Sequence, residues 1–199
     1  MKLVICDFDG TLIKAHSFPM WVFYIVKCSF RRGNFPLFFR FASALFLRRL
    51  GLISISKFKT FLMMQRYPRE YDSCFVESLK VYINPLVFEK LNQLDGYVVL
   101  SSASPMSYLE HVADIFGINV NQVVGSHVCD GVLVENYSVN KVQALHEVIG
   151  FANKVVLFTD HHMDLPLMKV SDEIFLVNPS KRTIRKVDRE GVNYKIIGD

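Results

Sequence analysis

Two aspartates lie one residue apart near the start of the chain, in the segment ICDFDGTL (5–12). They follow the apolar run LVIC, so Asp7 and Asp9 are expected at the end of a buried strand. A carboxylate can attack phosphorus as a nucleophile, and a second one beside it can protonate the leaving oxygen and then deprotonate water. The spacing therefore predicts Asp7 as a nucleophile and Asp9 as a general acid and base.

Other polar residues suited to this chemistry follow later apolar runs. Ser102 ends YVVLSS, Asp160 ends KVVLFTD with Asp164 four residues further on, and Lys141 begins a helical pattern. If these runs form one open parallel sheet, their carboxyl ends meet at one edge. Converging carboxylates favour a hard divalent cation, and lysine, serine and a helix start favour phosphate. We expect a Mg²⁺ site beside a phosphate site.

The elements that must position these residues alternate along the chain. Apolar, Val- and Ile-rich runs predict strands at 3–9, 97–103, 122–128, 154–160 and 173–179. Helical patterns cover 85–95, 105–117, 140–150, 163–170 and 181–190. Continuous apolar strands separated by helices are typical of a parallel sheet covered on both faces. The predicted fold class is α/β, with a Rossmann-like parallel sheet core and a hairpin at 126–135 joined by Asp-Gly.

The stretch after the first strand differs in character from the rest of the chain. Between Gly10 and Arg69 there are eleven Lys and Arg and no Asp or Glu, whereas the other 12 basic residues accompany all 19 acidic ones. Strand patterns disappear there, and aromatic, basic, helix-like segments replace them. We therefore predict an α/β core formed by residues 1–13 and 82–199, with an all-helical cap inserted at 14–81.

The motifs DFDGTL, LSSASP, NKVQAL and FTDHHMDLPLM, in this order and spacing, resemble the four signature motifs of the haloacid dehalogenase superfamily. VNPSKRTIRKV after the last predicted strand is similar to its phosphoserine-phosphatase-like branch, which belongs to subclass I and has a helical cap after the first motif. The resemblance covers most of 1–13 and 82–199. It implies a Mg²⁺-dependent phosphomonoester hydrolase that works through an aspartyl-phosphate intermediate.

The resemblance also implies a role for each residue. Asp7 is the nucleophile and a metal ligand, and Asp9 is the acid and base, with its backbone carbonyl on the metal. Ser102 and Lys141 bind the substrate phosphate, and Asp160 and Asp164 fill the metal-binding motif.

The sequence departs from the branch at three positions. Thr159 replaces a usual glycine and His161 a common serine, and His16 stands where phosphoserine phosphatases have a glutamate for the substrate amino group. Phosphoserine is therefore not the expected substrate. His16 and Ser17 are the candidate specificity residues of the cap.

Three rival classes share parts of this pattern. A phosphotransferase or mutase would use the same first step, a dehalogenase would not need Asp9, and an inactive binding module would not keep all the acids. The runner-up among substrates is a small soluble phosphomonoester such as a sugar or nucleotide phosphate.

The insertion supports two interpretations. Ten of the 26 aromatic residues lie between Phe18 and Phe46, in two apolar runs that flank RRGN (31–34). Their apolar faces could pack inside a helical hairpin, or a basic, aromatic hairpin could rest on an anionic membrane and admit lipid phosphates. Each run falls short of the roughly 20 residues of a membrane span. In character the insertion resembles that of bacterial phosphatidylglycerophosphate phosphatases.

These features set the expected partners and compartment. The expected substrate is a phospholipid-type phosphate at the membrane surface, and no nucleic-acid partner is expected. No signal-peptide pattern precedes the first strand, and the four cysteines lack metal-ligand spacing. We expect a cytoplasmic protein, peripheral on the inner face of the cell membrane if its cap binds lipid.

Overall fold

A computed structural model describes residues 1–198, and its centre is a seven-stranded sheet in the order β4-β3-β2-β1-β5-β6-β7. The strands are β1 (Lys2–Cys6), β2 (Tyr97–Pro105), β3 (Gln122–Cys129), β4 (Val132–Val134), β5 (Lys154–Thr159), β6 (Glu173–Val177) and β7 (Lys195–Ile197). β3 and β4 pair antiparallel, and the other neighbours pair parallel. The predicted α/β class with a Rossmann-like parallel sheet is confirmed.

The central strand β1 is buried on both faces, as its continuous apolar sequence requires. Val4 and Cys6 join the larger core cluster, while Leu3 and Ile5 join a smaller one. Alternate residues of a strand point to opposite faces, so these two clusters lie on the two sides of the sheet. β1 is therefore held between the two clusters, and Asp7 follows directly after its last residue, Cys6.

Ten α-helices connect these strands in the described part of the chain. They are α1 (Ser17–Arg31), α2 (Phe35–Arg49), α3 (Ile55–Met63), α4 (Glu70–Leu79), α5 (Pro85–Gln93), α6 (Met106–Leu109), α7 (Val112–Phe116), α8 (Val139–Gly150), α9 (Leu165–Met168) and α10 (Lys181–Arg189). Short 3₁₀ turns cover Lys80–Tyr82 and His162–Asp164.

Two predicted helices differ from the structure. The pattern at 105–117 forms two short helices, α6 and α7, and the first begins at Met106 because Pro105 keeps an extended backbone (φ −55°, ψ 130°) as the last residue of β2. The pattern at 163–170 begins as a 3₁₀ turn and becomes helical at Leu165. The strand β7 was not predicted, because three residues near the chain end give too short a pattern.

Helices α1 to α4 lie in the insertion between β1 and β2. Trp21 of α1 is fully buried, with its ring centroid 5.9 Å from that of Phe41 in α2 and 5.9 Å from that of Tyr108 in α6. The apolar faces of the insertion therefore pack together and against the layer beside the sheet. The domain division at 13/14 and 81/82 remains a prediction.

The chain enters and leaves the insertion at one place. The Lys14 N–H donates to the Tyr82 carbonyl at 2.8 Å, and the Asn84 N–H donates to the Leu12 carbonyl at 2.9 Å. The two connecting segments thus pair with each other. Within residues 1–198, no helix combines the length and apolar character needed to cross a bilayer.

Candidate active site

Seven of the eight residues singled out by the sequence line one cavity of about 250 Å³ at the carboxyl edge of the sheet. They are Asp7, Asp9, His16, Ser102, Lys141, Asp160 and Asp164. The eighth, Ser17, is fully buried and donates its backbone N–H to Asp9 Oδ1. The parallel sheet brings these residues together because β1, β2 and β5 end at the same edge.

A buried lysine joins two of the carboxylates. Lys141 is 3% exposed, and its Nζ lies 3.1 Å from Asp7 Oδ1 and 3.0 Å from Asp164 Oδ2. Burial disfavours the cation, but Asp7 and Asp164 outweigh it and raise the pKa of Lys141 above its usual value. Lys141 is therefore a fixed positive charge on the floor of the cavity.

Burial raises the pKa of Asp7 to about 7, and the nearby carboxylates of Asp164, Asp160 and Asp9 add to the rise against the opposing charge of Lys141. Its backbone N–H donates to the Phe158 carbonyl at 3.0 Å, which holds the end of β1 against β5. Asp7 is thus a firmly placed carboxylate whose negative charge is not fully compensated by the protein.

Asp164 is bound from two sides. Besides Lys141, the buried hydroxyl of Thr159 donates to Asp164 Oδ2 at 2.8 Å. The Thr159 hydroxyl also accepts the His161 N–H at 3.3 Å, so it closes the turn that follows β5. Thr159, noted in the sequence only as a departure from a family pattern, thus positions Asp164.

Asp160 lies against the first turn of the chain after Asp9. A Cβ placed on Gly10 would stand 2.5 Å from Asp160 Oδ2, and Gly10 has a φ of +76° that also favours glycine. Burial raises the pKa of Asp160 to about 6, with a further rise from Asp164. The DFDGTL segment therefore supplies both an aspartate pair and the space that Asp160 occupies.

Asp9 accepts hydrogen bonds at both carboxylate oxygens. The Ser17 N–H donates to Oδ1, and the Ser104 hydroxyl donates to Oδ2 at 2.5 Å. Ser104 was not among the site residues predicted from the sequence. Its position two residues after Ser102, near the end of β2, was the available signal that it faces the site.

The Ser102 hydroxyl lies on the cavity wall and accepts the Ser104 N–H at 3.2 Å. Behind it, the buried side-chain amide of Asn136 donates to the Ser102 carbonyl at 3.1 Å and to Ser101 Oγ at 3.0 Å. Asn136 was not identified from the sequence. It ties the end of β2 to the segment that leads into α8 and Lys141.

The cavity mouth carries larger side chains. His16 and His161 are exposed, and Tyr137 is 42% exposed. Tyr137 was missed because no motif contains it, although it lies just before the helix that presents Lys141. His162, next to His161 in the sequence, is buried, and the Lys186 ammonium lies 2.9 Å from His162 Nε2.

Solved structures share this fold. A protein of unknown function from Bordetella pertussis Tohama I matches with a TM-score of 0.76 at 16% identity, over 98% of this chain and 97% of that one. A phosphoserine phosphohydrolase-like protein from Francisella tularensis subsp. tularensis SCHU S4 matches with a TM-score of 0.61 at 18% identity, over 99% and 95%. A phospho-aspartyl intermediate analogue of phosphoserine phosphatase matches with a TM-score of 0.57 at 14% identity, over 98% and 92%.

No curated protein matches the sequence at a significant level. A family model, in contrast, matches residues 4–169, a range that contains all of the aspartates in the cavity and Lys141. The chain belongs to the haloacid dehalogenase-like hydrolase family.

Proposed function

We propose that the protein is a phosphatase that hydrolyses phosphate monoesters through an aspartyl-phosphate on Asp7. The observation that carries this proposal is the placement of Lys141 between Asp7 and Asp164 on the floor of the cavity, with Asp9 and Ser102 on its walls. A nucleophile, an acid and base, and fixed donors for phosphate oxygens are the parts that this reaction needs.

In the first step an Asp7 carboxylate oxygen bonds to phosphorus and the ester P–O bond breaks. Asp9 gives its proton to the leaving oxygen, and the alcohol departs. In the second step water attacks phosphorus while Asp9 takes its proton. The bond between phosphorus and the Asp7 oxygen breaks, and inorganic phosphate departs. Lys141 and Ser102 bind the oxygens of the transferring group in both steps.

The donor set of the cavity fits Mg²⁺. Within residues 1–198, no three His, Cys, Asp or Glu side chains form a ready-made metal site. Mg²⁺, however, commonly takes only one or two carboxylates and keeps several waters. Asp7 and Asp160, whose raised pKa values reflect buried negative charge, suit it, with the Asp9 carbonyl as a third ligand.

Asp164 has a different role in this proposal. Its Oδ2 already accepts from Lys141 and Thr159, so it holds the lysine, and Asp160 is the better-placed ligand. When bound, the metal would supply positive charge beside the phosphoryl oxygens.

The test of this proposal is phosphate release from para-nitrophenyl phosphate with and without Mg²⁺. Asp7→Asn should abolish it, whereas Asp95→Asn, at an exposed position after α5, should leave it unchanged. An inactive wild-type protein, or an active Asp7→Asn variant, would contradict the proposal. Transfer of the phosphoryl group to added alcohols in preference to water would identify a phosphotransferase instead.

The surface of the insertion supports a proposal for the substrate class. Phe30, Phe35, Phe38 and Phe39 form an aromatic tip where α1 turns into α2, with ring centroids 5.3–6.3 Å apart in the contacting pairs. Three of the rings are strongly exposed: Phe30 at 60%, Phe35 at 52% and Phe39 at 64%. Packing within the hairpin therefore does not explain why phenylalanine occupies these three exposed positions.

The charge around the aromatic tip suits an anionic surface. Arg31, Arg32 and Arg40 are exposed beside it, within a stretch of sequence that has no acid from Gly10 to Arg69. Exposed aromatic rings and arginines together are typical of segments that bind the interface of anionic lipid. The proposed substrate is thus a phospholipid-type phosphomonoester at the inner membrane surface, and a soluble sugar or nucleotide phosphate is the alternative.

Liposome sedimentation tests the surface, and a phosphate-release screen tests the substrate. Wild-type protein should sediment with phosphatidylglycerol vesicles at low salt, less at high salt, and not with phosphatidylcholine. A variant with Phe30, Phe35 and Phe39 changed to alanine should lose binding, and Phe151→Ala, at a 78% exposed phenylalanine next to α8, should keep it. No binding at low salt, with preference for soluble esters, would establish the alternative.

A further inference from the structure

A chain of buried hydroxyls ends at Asp9. Tyr108 Oη lies 2.7 Å from Ser17 Oγ, Ser17 Oγ lies 3.0 Å from Ser104 Oγ, and Ser104 Oγ lies 2.5 Å from Asp9 Oδ2. Tyr108 and Ser17 are fully buried, and Ser104 is 3% exposed. These residues come from α6, the start of α1 and the end of β2, so three separate elements meet behind one carboxylate.

Counting protons fixes the direction of the chain. The Ser104 hydroxyl donates its single proton to Asp9 Oδ2, which in the ionised form that takes a proton from water can only accept. Ser104 can then only accept from Ser17, and Ser17 in turn can only accept from Tyr108. Each hydroxyl is used as a donor once, and all the donors point toward Asp9.

We propose that Ser104 is a positioning residue that holds the Asp9 carboxylate for proton transfer, with Ser17 and Tyr108 fixing the direction of its donor. This inference rests on the proposed function and adds residues that act through Asp9. The two bonds to Asp9 leave each of its oxygens a second lone pair, and one of these can carry the transferred proton.

The same contacts link proton transfer to the insertion. Ser17 is the first residue of α1, and it binds Asp9 through its backbone N–H and reaches Ser104 through its hydroxyl. A displacement of α1 would therefore move the donors of Asp9. The acid and the first helix of the insertion act as one unit.

The experiment compares kcat/KM for two esters, which reports the steps up to loss of the alcohol. A good leaving group such as para-nitrophenolate needs little protonation, whereas an alkoxide such as that of methyl phosphate needs it fully. Ser104→Ala should lower kcat/KM for methyl phosphate by about 10- to 100-fold and for para-nitrophenyl phosphate by less than about 3-fold. Tyr108→Phe should also lower kcat/KM for methyl phosphate more than kcat/KM for para-nitrophenyl phosphate, but by a smaller factor.

The matched control is Ser107→Ala. Ser107 is on the same helix as Tyr108, and its own hydroxyl lies 3.5 Å from Tyr67 Oη. This substitution should leave kcat/KM unchanged for both esters. In an Asp9→Asn background, Ser104→Ala should add no further loss, because the group that it positions can no longer transfer a proton.

Equal losses for both esters, or no loss for either, would overturn the positioning role while the phosphatase activity stands. An inactive wild-type protein would instead refute the proposed function. If Ser104→Ala lowers the folded fraction, Tyr108→Phe gives the same comparison with the Ser104 hydroxyl intact.

Discussion

Lys141 and Asp7 lie 134 residues apart in the sequence and form a buried ion pair of 3.1 Å. The pair joins the start of α8 to the end of β1, and through Asp164 it reaches the turn after β5. One helix and the ends of two strands therefore place this positive charge, and none of these elements belongs to the insertion.

Replacing Lys141 should greatly reduce the rate of phosphate release. Lys141→Met removes a preorganised positive charge from the reaction centre, and kcat for phosphate release should fall by about 10²–10³-fold. Lys154→Met is the matched control, since Lys154 is exposed at the opposite end of β5 and pairs with Glu173. Full activity of Lys141→Met, with circular dichroism showing a folded protein, would contradict the assignment of the phosphate-binding lysine.

Gly10→Ala should inactivate the protein through Asp160. The new Cβ would meet Asp160 Oδ2 at 2.5 Å and displace the carboxylate from its place beside Asp7. Gly33→Ala separates this contact from backbone strain, because Gly33 has a similar φ of +70° and nothing within 4 Å of the added atom. We expect Mg²⁺-dependent activity to disappear in the first variant and to persist in the second, and equal activity in both would be evidence against the role of Asp160.

Thr159→Val should destabilise the fold around Asp164. The substitution keeps the shape of the side chain but removes a donor from a buried carboxylate, which costs about 1–3 kcal/mol. Thr159→Ser keeps the hydroxyl and should recover most of the loss. Urea unfolding of the metal-free variants measures the difference, and a Thr159→Val protein as stable as Thr159→Ser would show that the bond contributes nothing.

Metal-free protein should lose stability as pH rises toward neutrality. Burial raises the pKa of Asp7 to about 7 and that of Asp160 to about 6, above the usual 3.8 of an aspartate. Between about pH 4 and pH 7 the folded state therefore keeps protons that the unfolded state has already released. The free energy of unfolding falls as the pH rises through this range.

Mg²⁺ should offset this loss. Because the ion competes with protons for the same carboxylates, it should raise the midpoint of thermal unfolding more at about pH 8 than at about pH 5.5. Asp160→Asn should reduce the Mg²⁺ effect, and Asp95→Asn should not. A shift of equal size at both pH values would contradict proton-linked metal binding by these groups.

The parts of the site that follow strand ends could be predicted from the sequence. Asp7, Ser102 and Asp160 each close an apolar run, and the carboxyl ends of parallel strands meet by geometry alone. Lys141 was found because it begins a strongly periodic helix, α8. Each of these residues is marked by a short sequence pattern, a strand end or a helix start, and that pattern determines where the residue lies in the fold.

The supporting residues could not be predicted in this way. Tyr108 reaches Asp9 only through two serines, from a helix whose start was obscured because β2 continues to Pro105. Asn136 depends on how the hairpin segment folds back against β2. Their roles come from contacts between distant parts of the chain, which no short sequence window contains.

The paired connections at Leu12, Lys14, Tyr82 and Asn84 bring the two ends of the insertion to adjacent positions. In polymer terms the insertion is a closed loop, and the entropy of closing such a loop rises by only about 0.6 kcal/mol for each doubling of its length. Additional helices could therefore lengthen this segment without changing the sheet or the position of Asp7. The paired connections thus separate the length of the insertion from the geometry of the sheet.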